Sequence, residues 1–132
     1  MNLFLQSIAD VLEVDELSLD TPFRETPDWS SLKGFGLLVT MENDWQAPLT
    51  VDRFLELATV RDLYREAFAA FAAYLLNVPR TSLSGSTGMG DLVEWDSVNH
   101  LRLVMEAEKR FGSSYPLERI PQIRTVDDFL VD

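Results

Sequence analysis

Apolar residues recur at helical spacing near the start of the chain, at Leu3, Phe4, Ile8, Val11 and Leu12, and the pattern breaks at Asp15. A loop with Pro22 and Pro27 follows, and the period resumes near Ser31 and runs to about Trp45 before Pro48 stops it. Residues 51–57 and 60–63 predict two shorter helices. The second half repeats this order. It predicts a helix over residues 68–76, a Ser- and Gly-rich loop over residues 84–90, a helix over Ser97–Phe111, and a final turn over residues 125–130 after Pro116 and Pro121. No alternating run of β-branched residues predicts a strand, so the expected class is all-α.

The likeness between the halves extends to single residues. Trp29-Ser30-Ser31-Leu32 aligns with Trp95-Asp96-Ser97-Val98 at an offset of 66. The same offset pairs Phe35 with Leu101, Leu38 with Val104, Trp45 with Phe111, and Thr59-Val60 with Thr125-Val126. Upstream, Leu12-Glu13-Val14 and Ser18-Leu19 match Leu76-Asn77-Val78 and Ser82-Leu83 at an offset of 64. The difference of two is expected as a longer loop between Leu83 and Trp95. The chain therefore divides into residues 1–66 and 67–132, each expected to be a short helical bundle. Between Val60 and Asn77 there is no glycine or proline, and residues 67–73 are rich in alanine. That composition favours one helix running from the first half into the second, the alternative being a tight kink. A flexible linker would instead be rich in Gly, Ser or Pro. Trp29, Trp95, Trp45 and Phe111 flank the same helix in both copies, where packing is their simplest role.

Composition narrows the chemistry. The chain has no cysteine and one histidine, His100, which excludes disulfides, thiolate metal sites, a cysteine nucleophile and a multi-histidine metal centre. No apolar run approaches the ~20 residues of a membrane span. The N-terminal residues lack the basic region of a signal peptide, so the expectation is a cytoplasmic protein. The net charge of −11 disfavours nucleic acid and suits basic protein partners. The first half carries −8 of it and the second −3. The exposed positions of the two long helices are nonetheless mixed: Lys33, Asn43 and Asp44 in one, Arg102, Glu106, Lys109 and Arg110 in the other.

The candidate chemistry lies where a loop turns into a helix. Asp96-Ser97-Val98 puts a hydroxyl beside backbone N–H groups that lack intrahelical partners, at the end of the helix dipole that favours negative charge. A phosphate ester on Ser97 would sit beside these donors. Asp96 is also a good helix cap, and Asp-Ser at a helix start is by itself more often a cap than a site. Ser31 stands at the equivalent place in the first half.

Residues 95–101, the helix that follows to Gly112, and Thr125-Val126-Asp127-Asp128-Phe129 together resemble acyl carrier proteins. The first copy resembles the same family over residues 3–64. The resemblance implies two tandem four-helix bundles, with 4′-phosphopantetheine attached to Ser97 and, in the first copy, to Ser31. It implies a non-catalytic carrier of fatty-acid, polyketide or related acyl groups held as thioesters, loaded by a phosphopantetheinyl transferase and served by acyl-loading and acyl-using enzymes. Val98, Leu101 and Val104 would line a cleft sheltering the acyl chain. The first copy departs from the pattern, with Ser30 where the family most often has aspartate and with Gly34 and Gly36 inside its helix. The alternative is that one or both copies are unmodified interaction modules.

Three other signals are set aside. Ser97, Asp96 and His100 do not make a catalytic triad, because serine and histidine three apart on one helix rarely present the base to the hydroxyl, and no nucleophile elbow is present. His100 is expected as a surface helix residue. The run Gly85-Ser86-Thr87-Gly88-Met89-Gly90 lacks the Gly-Lys-Ser/Thr of a phosphate loop and is expected to be a mobile loop.

Overall fold

The computed structural model describes residues 1–131 and is helical, with no β-strand among the described residues. Five α-helices follow in order: α1 (Leu3–Leu12), α2 (Ser31–Asn43), α3 (Val51–Glu56), α4 (Val60–Leu76) and α5 (Ser97–Phe111). Short 3₁₀ turns occupy Phe23–Glu25, Arg80–Ser82, Leu117–Gln122 and Asp127–Phe129. No helix is long and apolar enough to cross a membrane among the described residues.

Each long helix has chemical punctuation. Asn2 caps α1, its Oδ1 accepting from Leu5 N at 2.8 Å. Thr59 and Asp62 form a reciprocal capping box at the start of α4. Asp96 caps α5, and Gly112 ends it at φ 66°. Lys109 and Arg110 lie in the last turn of α5, where the helix dipole favours cations. α4 is a single helix across the middle of the chain, as its alanine content predicts, and it ends only at Asn77 with Pro79 beyond.

The matched positions of the halves make matched hydrogen bonds. Glu13 and Asn77, 64 apart, both end their helices at φ 58°. Val60 N donates to Thr21 O, and Val126 N to Thr87 O, both at 3.0 Å. Asp62 Oδ2 accepts from Ala58 N and Thr59 N, as Asp128 Oδ2 does from Arg124 N and Thr125 N. Ser18 N donates to Thr21 Oγ1, and Ser84 N to Thr87 Oγ1. These last pairs correct the expected site of the insertion. The offset is still 64 at Val14 and Val78, whose N–H groups donate to Ala9 O and Ala73 O, and it is already 66 at Ser18 and Ser84. The two extra residues therefore lie between Val78 and Ser84, where the 3₁₀ turn Arg80–Ser82 takes them up, and not between Leu83 and Trp95.

The buried side chains of both halves form one contiguous cluster. Its centre is aromatic. Phe4 stacks on Tyr64 with ring centroids 4.8 Å apart, and Phe68 stacks on Phe129 at 4.7 Å. Trp45 and Phe111, which hold equivalent positions in the two halves, stack on each other at 5.3 Å with their planes 4° apart. Asn2 joins the ends of the chain to the middle, its Nδ2 donating to Tyr64 Oη at 3.1 Å and to Val131 O at 2.8 Å. Burying such large rings stabilises by roughly 1.5–3 kcal/mol each, and stacked pairs add ~0.5–1.5 kcal/mol. Trp29 is half-buried over Phe23, so all four flanking aromatics act in packing.

The Gly85–Gly90 segment is more tethered than the loop expected there. Met89 N donates to Arg124 O at 3.0 Å, and Gly88 pairs with Thr125 as an isolated bridge. A Cβ at Gly88 would meet Arg124 O at 2.2 Å, so this glycine is required by a close backbone approach. Gly85 and Gly88 serve packing against the C-terminal turn, while Gly90 takes up a positive φ of 95° with open space around it.

Candidate functional site

Ser31 and Ser97 are the first residues of α2 and α5, and both are exposed. Neither hydroxyl is held by another described side chain or carbonyl. The residue before each is the cap: Ser30 Oγ accepts from Lys33 N at 3.4 Å, and Asp96 Oδ1 from Asn99 N at 2.9 Å. The second cap is shorter and charge-assisted, so α5 starts from the firmer anchor. Asn99 Nδ2 adds a bond to Glu94 O at 2.8 Å, and the indole of Trp95 is buried directly before the cap. Ser97 thus sits on a rigid edge with its hydroxyl in water, and the N–H groups of the first turn lie beside it.

His100 is buried at 7% exposure, which corrects its expected surface position. Its Nδ1 accepts from Trp95 Nε1 at 3.0 Å, so it faces the core and not Ser97. The ring also faces the backbone carbonyls of Ile123 and Ile120. Burial holds its pKa below the ordinary histidine value, against the opposing pull of those carbonyls. In the first half the equivalent position is Gly34, and the equivalent carbonyls, Leu57 O and Phe54 O, accept from Arg24 instead. Phe54 and Trp29 close over the glycine. A structural task done by histidine in one half is done by arginine and phenylalanine in the other. This leaves His100 no part in a triad.

The apolar residues after each serine divide between two faces. Val104 is buried, but Val98 is 73% and Leu101 50% exposed, so these two face solvent instead of lining a closed cleft. With the half-exposed Met105 they form a stripe down the outer face of α5. Leu32, Phe35 and Val39 form the same exposed stripe on α2, at the same offset of 66. Repeated i, i+3, i+7 spacing in both copies was the available sequence signal for these stripes, set apart from the core-facing residues of the same helices. Charges beside them are mixed. Lys33 is turned away, its Nζ donating to Leu12 O at 3.0 Å and Pro27 O at 3.2 Å.

No group of three or more metal-ligating side chains comes together among the described residues. Comparison of the chain with protein-family models, curated proteins and solved structures finds no match. The functional reading therefore rests on the geometry and on the residues quoted above.

Proposed function

We propose that this chain is a tandem acyl carrier protein of two helical bundles, residues 1–66 and 67–132, that carries acyl groups on 4′-phosphopantetheine and performs no reaction itself. One observation supports this reading above the others. An exposed serine hydroxyl opens a capped helix and is followed by an exposed apolar stripe, and the whole arrangement is built twice at equivalent positions.

In the proposed loading step Ser97 Oγ attacks the β-phosphorus of coenzyme A. A new phosphoester bond forms, 3′,5′-ADP leaves, and the hydroxyl proton passes to a base of the transferase. The arm then brings a thiol to a chain that has no cysteine of its own. Asp96 positions the serine by capping the helix, and the exposed stripe offers contact to the transferase and to acyl-handling enzymes. Ser31 is the equivalent attachment point in the first half.

A second reading applies to the first half. Ser30 makes a longer and uncharged cap, while the Leu32, Phe35 and Val39 stripe is intact. These features suit a docking module that is not itself modified.

The test is intact mass after incubation with coenzyme A and a broad-specificity phosphopantetheinyl transferase. The expected result is at least one added arm, mapped to Ser97 and abolished there by Ser97→Ala. A second arm on Ser31 makes both halves carriers, and its absence leaves the first half a docking module. No arm, with the transferase active on a control carrier, overturns the proposal.

A further inference from the structure

The two halves differ most in chemistry where the long helix of each packs on its neighbour. In the first half, α2 lies against α1 through Gly36, where an added Cβ would stand 3.1 Å from Val11 Cγ1. The equivalent residue on α5 is Arg102. Glycine lets two helices close together, whereas an arginine side chain needs room between or beside them. Accordingly, α5 packs less extensively on α4 than α2 does on α1. A groove of about 810 Å³ opens there, between α4, α5 and the end of α2. That volume is within the usual ~300–1,000 Å³ of small-molecule sites.

The groove has an apolar floor and a basic rim. Trp45, Phe71 and Leu75 line the floor, with the 91% exposed Tyr74 at the edge. Arg102 and Arg110 stand on α5 with Glu106 between them. Arg110 is committed: its guanidinium lies 4.4 Å over the Trp45 ring and donates to Asp44 O and Gln46 Oε1. Glu106 pairs with Lys109 at 3.5 Å. Arg102 is the freer cation, with one long bond of 3.4 Å to Asn99 Oδ1.

Internal duplication supplies a built-in control. The first-half equivalents of Phe71, Tyr74, Arg102 and Arg110 are Ser7, Asp10, Gly36 and Asp44. Of the floor residues, Trp45 and Leu75 have apolar equivalents in Phe111 and Val11, so the halves differ at Phe71, Tyr74 and the two arginines, where the counterparts are polar, acidic or glycine. An aromatic extension of the floor with an arginine at its rim, in a chain of net charge −11, therefore occurs in one half only. General packing needs do not explain it, because the first half packs the same helices without it.

We infer that this inter-half groove binds an apolar anion: a hydrocarbon or aromatic body laid on Trp45, Phe71 and Leu75, with its carboxylate on Arg102. It lies on the opposite side of α5 from His100 and Ile120, and the inference does not require a modified serine.

The test uses the full-length, unmodified protein and n-decanoate below its micellar concentration, followed by tryptophan fluorescence and by backbone amide shifts. Saturable binding is expected, with shifts centred on Phe71, Leu75 and Arg102. Neutral decanamide should bind at least fivefold more weakly. Arg102→Gly, the first half's own residue, should weaken decanoate at least tenfold while the circular dichroism spectrum is retained. Tyr74→Asp provides a second variant at a position that is 91% exposed, and it should weaken binding about threefold or more. Shifts centred elsewhere, equal binding of acid and amide, or no loss in both variants would overturn the inference. A failure of arm attachment to Ser97 leaves this result untouched, so the two proposals are separable.

Discussion

Trp95 Nε1 donates a hydrogen bond to His100 Nδ1 across 3.0 Å in the core, directly beneath the start of α5. The bond defines the tautomer: Nδ1 carries no proton, and Nε2–H faces the Ile123 and Ile120 carbonyls. Protonating Nδ1 would set two donors against each other. The buried ring, with Arg124 adding repulsion, is held below the ordinary histidine pKa. The unfolded chain therefore takes up a proton first as the pH falls. Stability is full above about pH 6.5 and declines as the pH drops below it, towards the folded-state value. Urea unfolding at pH 7.5 and 5.5 checks this, and His100→Gln should flatten the difference.

The two capping carboxylates predict a second loss in more acidic solution. Burial pushes Asp62 and Asp128 up, but backbone N–H groups at Ala58 and Thr59, and at Arg124 and Thr125, outweigh it and hold both below the usual carboxylate value. Their contribution is present above about pH 4 and is lost as the pH falls through the lowered folded values. Asp62→Ala and Asp128→Ala should each cost about 0.5–2 kcal/mol at neutral pH, read from urea midpoints. The double variant should depart from additivity, since Arg65 bridges Asp62 to Asp127, the neighbour of Asp128.

The Trp45–Phe111 stack couples the halves. Phe111→Ala should destabilise by about 3–5 kcal/mol, and the whole chain should unfold in one transition. Trp29 and Trp45 lie in the first half and Trp95 in the second, so tryptophan fluorescence samples both. Tryptophan fluorescence and circular dichroism should therefore give coincident melting curves in both native and variant proteins. Separate transitions would show that the shared core does not enforce cooperativity.

Two glycines should respond in opposite senses to alanine. At Gly34 a Cβ would meet the Trp29 ring at an ordinary 3.4 Å inside α2, so Gly34→Ala should stabilise by up to about 1 kcal/mol. At Gly112 the backbone is left-handed, φ 66°, and a Cβ would stand 2.8 Å from Leu3 Cγ. Gly112→Ala should destabilise by ~1 kcal/mol or more. Thermal melts of the two variants, side by side, check both signs.

The bounds of α1 and α5 and the unbroken α4 follow from periodicity, caps and alanine content, which act over a few residues. His100 shows where that reasoning stops. Its spacing to Leu103, Val104 and Ala107 lies on the buried face of α5, but its residue type suggested water. The partners that satisfy it, Trp95 before the helix and two carbonyls near residue 120, meet only when the loops have closed. Val98 and Leu101 illustrate the converse. They are apolar at helical spacing, yet the core is filled by the neighbouring face and these side chains remain outside.

Chain order alone specifies an all-α fold, a duplication at an offset of 66, and a serine at each of two equivalent helix starts, because period, caps and repeats are local or self-comparing signals. The stacking of Trp45 on Phe111, the burial of His100 and the opening of a groove at Arg102 depend on how the halves meet. Those contacts join residues far apart in sequence, and the competition among helices for one shared core selects which face of each is buried.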